Sequence, residues 1–481
     1  MLFNSIAFVI FFPMVGIMYF ILPHRYRWML LLLASYVFYM WWRIEYAVLI
    51  LISTIIDFWA AQKMASLADI RARKLYLGIS LGLNLGILAT FKYFNFLVNT
   101  FNQLLEQINI SSQLPNTEWA LPMGISFYTF QTLAYSIEVY RGNQKPEKHF
   151  GRFALYVSFF PQLVAGPIER AKNLLPQFTK KFKFEYQNVS SGIKRAAWGM
   201  FKKVVIADRL AIFVDAYYQN PGEHSTWMSW IILVFFYIQI YCDFSGYADI
   251  AIGSARVMGF KLMENFNYPL FARNFQNFWQ RWHISLTTWF RDYIYFPLGG
   301  SLNGKAQTYI NMIIVFVISG LWHGASWNFF WWGLACGILL VCDMETATYR
   351  KTAEEYFSYI QIGGLRKVID PLLIFMLMAL TLVLFRADNF EESKLVYSNL
   401  MGGSDGGLSS NIVSKYTLDW VLGFLLIGLL LIVELYQSDK VFSTTFDKIP
   451  DILRWFIYLL FIISILTFGI FEQKEFIYFQ F

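Results

Sequence analysis

Charge is what this 481-residue chain has least of: Asp, Glu, Lys and Arg together make up 15% of it, against 57% hydrophobic and 20% aromatic residues. A soluble domain carries nearer a quarter charged residues, so the composition excludes a large water-exposed globule. Cysteine and histidine are scarce too, three and five respectively. Cys242, Cys336 and Cys342 have no spacing that would form a disulfide framework or, with the histidines, a zinc site. Cys336 and Cys342 share one apolar segment and read as small core residues. No internal repeat is visible, which weighs against an inverted-repeat transporter, and no low-complexity segment appears. The first apolar run, Ser5 to Leu22, lacks a preceding basic residue and a small-residue cleavage site, so it reads as a retained span.

Long apolar runs are present instead, and they recur along the whole chain, as in a polytopic helical membrane protein. Spans are predicted near 5–22, 28–42, 44–60, 75–96, 119–140, 227–253, 307–323, 327–342, 370–386, 417–436 and 452–471, with a short apolar piece at 153–165 and a long mixed helix at 190–217. The net charge of +7 comes from basic residues lying between these runs, which points to topology and not to nucleic acid. Arg25 and Arg27, the Lys63–Lys74 loop and the Arg141–Arg152 loop alternate with loops poor in Lys and Arg, and 97–118 has neither. The positive-inside rule therefore places both termini on the outer side.

Two segments depart from the spanning pattern. Residues 169–209 interleave Lys180, Lys181, Lys183, Lys194, Arg195, Lys202 and Lys203 with Trp198, Phe201 and Val204, as an interfacial helix does against membrane lipid or an anionic cytosolic ligand. Residues 275–300, FQNFWQRWHISLTTWFRDYIYFPLGG, are too charged to span and too aromatic to be a solvated loop, so they read as re-entrant. Gly78, Gly82 and Gly86 fall on one helix face, a spacing that predicts close helix approach.

Ionisable groups inside a membrane are costly and mark function. They are Asp57, Asp243, His283, Arg291, Asp292 and His323. Asp57 reads as structural. Asp243, beside Tyr241, Ser245 and Tyr247, is either a substrate contact or a buried acid held by those hydroxyls. His323 sits in the apolar stretch GLWHGASWNFFWW (320–332), open between a satisfied core histidine and a neutral general base. A zinc pair with His283 lacks a third ligand at a sensible spacing, so no metal is expected.

The stretches PMGISFYTFQTLAYSIEVYRG (122–142), FPQLVAGPIER (160–170), CDFSGYADIAIG (242–253), NFWQRWHISLTTWFRDYIYFPLGG (277–300) and GLWHGASW (320–327) together resemble the membrane-bound O-acyltransferases. The likeness is greatest to the branch that holds bacterial alginate and peptidoglycan O-acetyltransferase subunits, and it covers essentially the whole chain. The resemblance implies a single all-α membrane domain over 1–481, with about 11–12 transmembrane helices, re-entrant and interfacial pieces and a central funnel. It implies His323 as the catalytic base and His283 as a second catalytic histidine, nearer the cytosolic side. It also implies acetyl-CoA as a donor substrate with no tightly bound cofactor, the bacterial inner membrane as location, and a secreted SGNH-type acetyltransferase partner (AlgJ-, AlgX- or PatB-like).

Acyl transfer from a thioester to a hydroxyl needs a base and donors for the oxyanion. Trp322, Trp327, Asn328 and Ser319 are the donor candidates, with Asp243, Trp322, Asn328 and Arg291 as substrate contacts and Lys202, Lys203 and Arg273 flanking the acyl-CoA mouth. The aromatic tail EFIYFQF (475–481) is expected to fold back into membrane or protein, and Tyr478 supplies its hydroxyl as an acyl shuttle. That role rests on the tail's resemblance to the Tyr-bearing partner peptides of teichoic-acid D-alanyl transfer. Competing readings are a proton-coupled transporter or flippase, with His283, His323 and Asp243 as relay, and a non-catalytic scaffold for a secreted transferase.

Overall fold

The computed structural model describes residues 1–110, 113–164, 166–359, 363–403, 416–438, 449–471 and 476–477. Among these residues all regular structure is helical. The chain runs through α1 (Ile6–Ile21), α2 (His24–Met40), α3 (Ala47–Ser66), α4 (Ile70–Leu88), α5 (Phe94–Gln107), α6 (Ile125–Arg141), α7 (Phe150–Ser158), α8 (Phe160–Leu163), α9 (Ala171–Leu174), α10 (Tyr186–Met200), α11 (Asp208–Gln219) and α12 (Thr226–Val257). It continues through α13 (Phe275–Trp279), α14 (Ile284–Phe290), α15 (Gly304–His323), α16 (Trp327–Glu345), α17 (Ala347–Tyr359), α18 (Gly363–Arg386) and α19 (Phe390–Leu400), then helices Thr417–Ser438 and Asp451–Phe468. Among the described residues eight helical stretches are long and apolar enough to cross a membrane, and α1, at 16 residues, is a shorter apolar helix. The apolar periphery is exposed, as at Ile6, Ile21, Leu425 and Ile452, which suits a lipid-facing belt.

α12 is the axis. It is 32 residues long and buried along most of its length, and α10 lies against it more intimately than any other helix pair. The contact has no room for side chains. A Cβ on Gly199 would come within 2.5 Å of the Gly246 carbonyl oxygen, and one on Gly192 within 2.7 Å of that of Gly253. The two pairs, seven residues apart on each helix, let the backbones of α10 and α12 touch. This changes the reading of 169–209. Lys180, Lys181 and Lys183 are exposed as expected of an interfacial segment, and Ile193 and Lys194 are exposed too, but Gly192 and Gly199 pack against α12 and residues 201–207 are wholly buried.

The glycines picked out in α4 do the opposite. Added Cβ atoms at Gly78, Gly82 and Gly86 meet open space, so this face is not a helix-packing seam. The packed face of α4 carries Ser80 and Asn84, which close a polar knot on Asp57 of α3. Asn84 Nδ2 donates to both Asp57 oxygens (2.9 and 3.0 Å), and Ser80 donates to the same carboxylate. Ser136 of α6 reaches it at 3.3 Å. Asp57 thus ties three helices together, the structural role expected of it. The 97–118 segment also differs from a simple loop. Phe94, Val98, Phe101, Leu104 and Leu105 recur at helical spacing, and α5 extends α4 through a π-turn at Ala89–Tyr93. Cys336 is buried as expected, whereas Cys342 on the same helix is exposed. Residues 275–300 form helices of five and seven residues and a five-residue π-turn, too short to cross a bilayer.

Because the α10–α12 contact has no slack, Gly246→Val will lower stability by at least about 2–3 kcal/mol through overpacking, read as a fall in Tm and in folded yield from membranes. Gly82→Ala, placed in open space, will change stability by no more than about 1 kcal/mol. Equal losses in both variants would show that the seam has been placed wrongly.

Candidate functional site

His323 is the last residue of α15, and Gly324 breaks away in extended conformation. The imidazole is buried at 5% exposure. Three rings surround it: Trp322 at 4.9 Å, Trp332 at 5.0 Å and Phe385 at 5.6 Å between centroids. On one side it borders a cavity lined by Lys92, Leu121 to Phe127 and Trp322. The broken helix end, small residues at Gly124 and Ser126, and the aromatic walls come from three separate stretches that the topology brings together.

His283 lies on the same aromatic cluster. Trp322 stands 6.1 Å from its ring, Phe244 packs edge-on at 4.5 Å and Phe127 stacks at 6.3 Å. Its backbone is left-handed (φ 43°), a strained state for a non-glycine residue. Asn265 holds it there. The Asn265 side-chain oxygen lies 3.1 Å from His283 Nδ1 and accepts from the N–H and hydroxyl of Ser285 (3.2 and 2.8 Å), while its backbone oxygen accepts from Ile284. A carbonyl acceptor at Nδ1 makes that nitrogen the N–H donor and leaves Nε2 as the basic nitrogen. Nε2 is buried and has no hydrogen-bond partner among the described residues.

Of the donor candidates, Trp322 is buried and its indole N–H has no partner among the described residues. Trp327 is 48% exposed and packs on Phe96. The Asn328 amide is committed to the Ala387 carbonyl at 2.8 Å and to Ser393, so it braces α16 against the α18–α19 junction instead of facing the histidines. Trp332, missed in the sequence, offers a second buried indole N–H beside His323. Lys92 was missed as well, although it is the one Asp, Glu, Lys, Arg or His in the 75–96 span.

The remaining expected residues fall elsewhere. Arg291 is exposed, pairs with its neighbour Asp292 at 2.9 Å and does not line the His323 cavity. Asp243 is held by neither Ser245 nor the flanking tyrosines. One oxygen pairs with Lys203 at 2.7 Å, and the other accepts from the Ile477 N–H at 2.9 Å. Lys203 also pairs with Asp208 at 2.9 Å and is fully enclosed, so it does not stand at a surface mouth. Lys202 is buried and paired with Asp249 at 2.7 Å, yet borders a cavity of about 580 Å³ with Arg195, Glu264 and Tyr268. Arg273 is exposed and lines a polar cavity of about 570 Å³ with Arg281. No group of three metal-ligating side chains occurs among the described residues. The two described residues of the tail lie inside the protein: Phe476 is buried against Phe244 and Tyr247, and Ile477 is 4% exposed. Tyr478 lies outside the described residues.

Removing the Asn265 acceptor strands three buried donors. Asn265→Ala is expected to cost about 1–3 kcal/mol by thermal unfolding. An unchanged Tm would mean that other groups hold the His283 turn.

Residues 147–385 match the MBOAT, membrane-bound O-acyltransferase, family. Over its full length, and that of the relative, the chain is 34% identical to a probable alginate O-acetylase, AlgI, of Pseudomonas putida. It is 35% identical to a peptidoglycan O-acetyltransferase of Helicobacter pylori over 84% of this chain and 80% of that protein. A teichoic acid D-alanyltransferase of Bacillus subtilis is 30% identical over 46% of this chain and 58% of its own length.

Proposed function

The chain belongs to the membrane-bound O-acyltransferase family, and from that premise we propose that it moves an acetyl group from cytosolic acetyl-CoA through the membrane to an extracytoplasmic acceptor, for O-acetylation of an exopolysaccharide or cell-wall polymer. Membership makes it a multi-pass membrane acyltransferase. The observation that carries the finer reading is the setting of His323: a buried imidazole that borders a cavity, walled by aromatic rings and flanked by indole N–H groups with no hydrogen-bond partner among the described residues.

In this reading His323 takes the proton of the attacking hydroxyl. The oxygen bonds to the acyl carbon, the carbon–sulfur bond breaks, and the proton passes to the departing thiolate. The Trp322 indole, and Trp332 beside it, donate to the oxyanion as it forms. The dry aromatic wall limits hydrolysis of the thioester. His283, with Nε2 as its basic nitrogen, contacts the donor from the cytosolic side. Lys202 and Arg273 border open cavities that suit the phosphates of coenzyme A, and no tightly bound cofactor enters the chemistry.

Tyr478 is the proposed first acceptor. A phenol, with pKa about 10, leaves more readily than a serine hydroxyl, so an acyl-tyrosine sits between thioester and sugar ester and passes its group to a secreted transferase. What supports it is the anchoring of Phe476 and Ile477 immediately before it, since Phe476 packs on Phe244 and Phe244 on His283. The scaffold and transporter readings have no comparable observation in their favour.

Purified protein given acetyl-CoA and acceptor will release coenzyme A, and His323→Ala will lower that rate about 10²–10⁴-fold without loss of fold. Near-normal turnover in the variant would remove His323 from the chemistry. For the shuttle, Tyr478→Phe will abolish polymer acylation, and no acyl-enzyme will be trapped at residue 478 by mass spectrometry. Wild-type acylation would reduce the tail to an anchor.

A further inference from the structure

Lys92 sits in the π-turn that interrupts the 38-residue helical stretch Ile70–Gln107. Its ammonium crosses to another helix and donates to the last two carbonyls of α15, to Trp322 O at 2.6 Å and His323 O at 3.0 Å. The neighbouring Tyr93 hydroxyl donates to Leu321 O at 2.9 Å. Three successive carbonyls at the end of α15 are thereby capped from one turn. The last carbonyls of a helix lack partners inside it, and the helix dipole favours a cation there. The same ammonium stands 5.9 Å from the centre of the Trp322 ring and borders the cavity that His323 borders.

No carboxylate among the described residues pairs with Lys92. An ammonium at membrane depth without a counter-ion is expensive, and such groups are retained where they do something. A π-turn has the same association with function, because it re-aims side chains that a regular helix would point elsewhere. Ordinary capping would be met by any terminal donor. Here a charged group is brought from 230 residues away onto the two residues that form the reactive wall.

We propose that Lys92 is the positioning residue of the site: by clamping the Trp322 and His323 carbonyls and lying over the Trp322 ring, it fixes the imidazole and the indole N–H in one relative pose. The inference rests on His323 being the base. Lys92 is given no contact with the acyl donor, so its loss acts on the chemical step and leaves donor binding intact.

The test compares Lys92→Met and Lys92→Arg with the wild type in the coenzyme A release assay, beside His323→Ala. Lys92→Met is expected to lower kcat about 10- to 100-fold per folded molecule, with KM for acetyl-CoA within about twofold. Lys92→Arg, which keeps charge and donors, recovers most of the loss. Wild-type kcat in Lys92→Met, or an equal loss in Lys92→Arg, overturns the proposal. If Lys92→Met does not accumulate folded, Lys92→Cys in a Cys342→Ser background is treated with 2-bromoethylamine to rebuild an ammonium. A rise in kcat on treatment supports the role, and unchanged kcat overturns it. A His323→Ala variant that stays active sinks the underlying assignment instead, whatever the Lys92 variants do.

Discussion

Every backbone group and every charge that this chain carries to membrane depth must find its partner inside the protein. The places where regular helix is interrupted are therefore the places where side chains have to intervene. Among the described residues, the π-turns at 89–93, 201–207 and 291–295 show the pattern. Each contains charged residues: Lys92 in the first, Lys202 and Lys203 in the second, Arg291 and Asp292 in the third. The first two turn their ammonium groups inward, onto the end of α15 and onto the α12 carboxylates Asp249 and Asp243. In a continuous α-helix the same positions would face other directions. The irregular backbone and the buried charge are one feature, and the candidate site lies among these breaks.

The same constraint dries the centre. From the basic side of the protein to His323 the rings form a column, Tyr293 to Trp289 at 5.0 Å, Trp289 to Phe130 at 3.9 Å, Phe130 to Trp322 at 5.4 Å and Trp322 to His323 at 4.9 Å. Arg141 and Arg170 stack on the Tyr293 end, and the Trp289 N–H is spent on the Phe130 carbonyl. At the head of the column the indole N–H groups of Trp322 and, beside it, Trp332 have no hydrogen-bond partner among the described residues. Donors held ready in a low-dielectric wall act far more strongly than donors in water.

The order and rough placement of the eleven predicted spans were legible because apolar length is a strong signal, although among the described residues only eight of them fall on helices long and apolar enough to cross a membrane. His283 and His323 stood out because imidazoles are conspicuous in apolar runs. What failed was partner choice. Gly78, Gly82 and Gly86 have the spacing of a packing seam, but spacing does not say which face meets lipid, and the true seam uses Gly192, Gly199, Gly246 and Gly253 at a spacing of seven. Lys203 looked like one more surface cation, and only the fold shows that two carboxylates enclose it. Lys92 was hidden at a span end, where a lysine ordinarily reaches toward water. Asn328 carried the right chemistry, and its amide was already engaged 59 residues away.

Lys203 also explains why Phe476 and Ile477 belong to the interior. One ammonium faces two carboxylates, Asp208 and Asp243, in a fully buried setting. Lys203 engages one Asp243 oxygen, and a buried carboxylate oxygen left without a donor is costly. The Ile477 N–H supplies that donor, and Ile470 N–H donates to the Val204 carbonyl inside the neighbouring π-turn. Charge balance at α12, backbone satisfaction at the π-turn and burial of Phe476 therefore stand or fall together. A tail that only anchored the protein in lipid would need none of these bonds. Its attachment at Asp243, with Phe244 next in sequence and packed edge-on to His283, ties its position to the second histidine of the site.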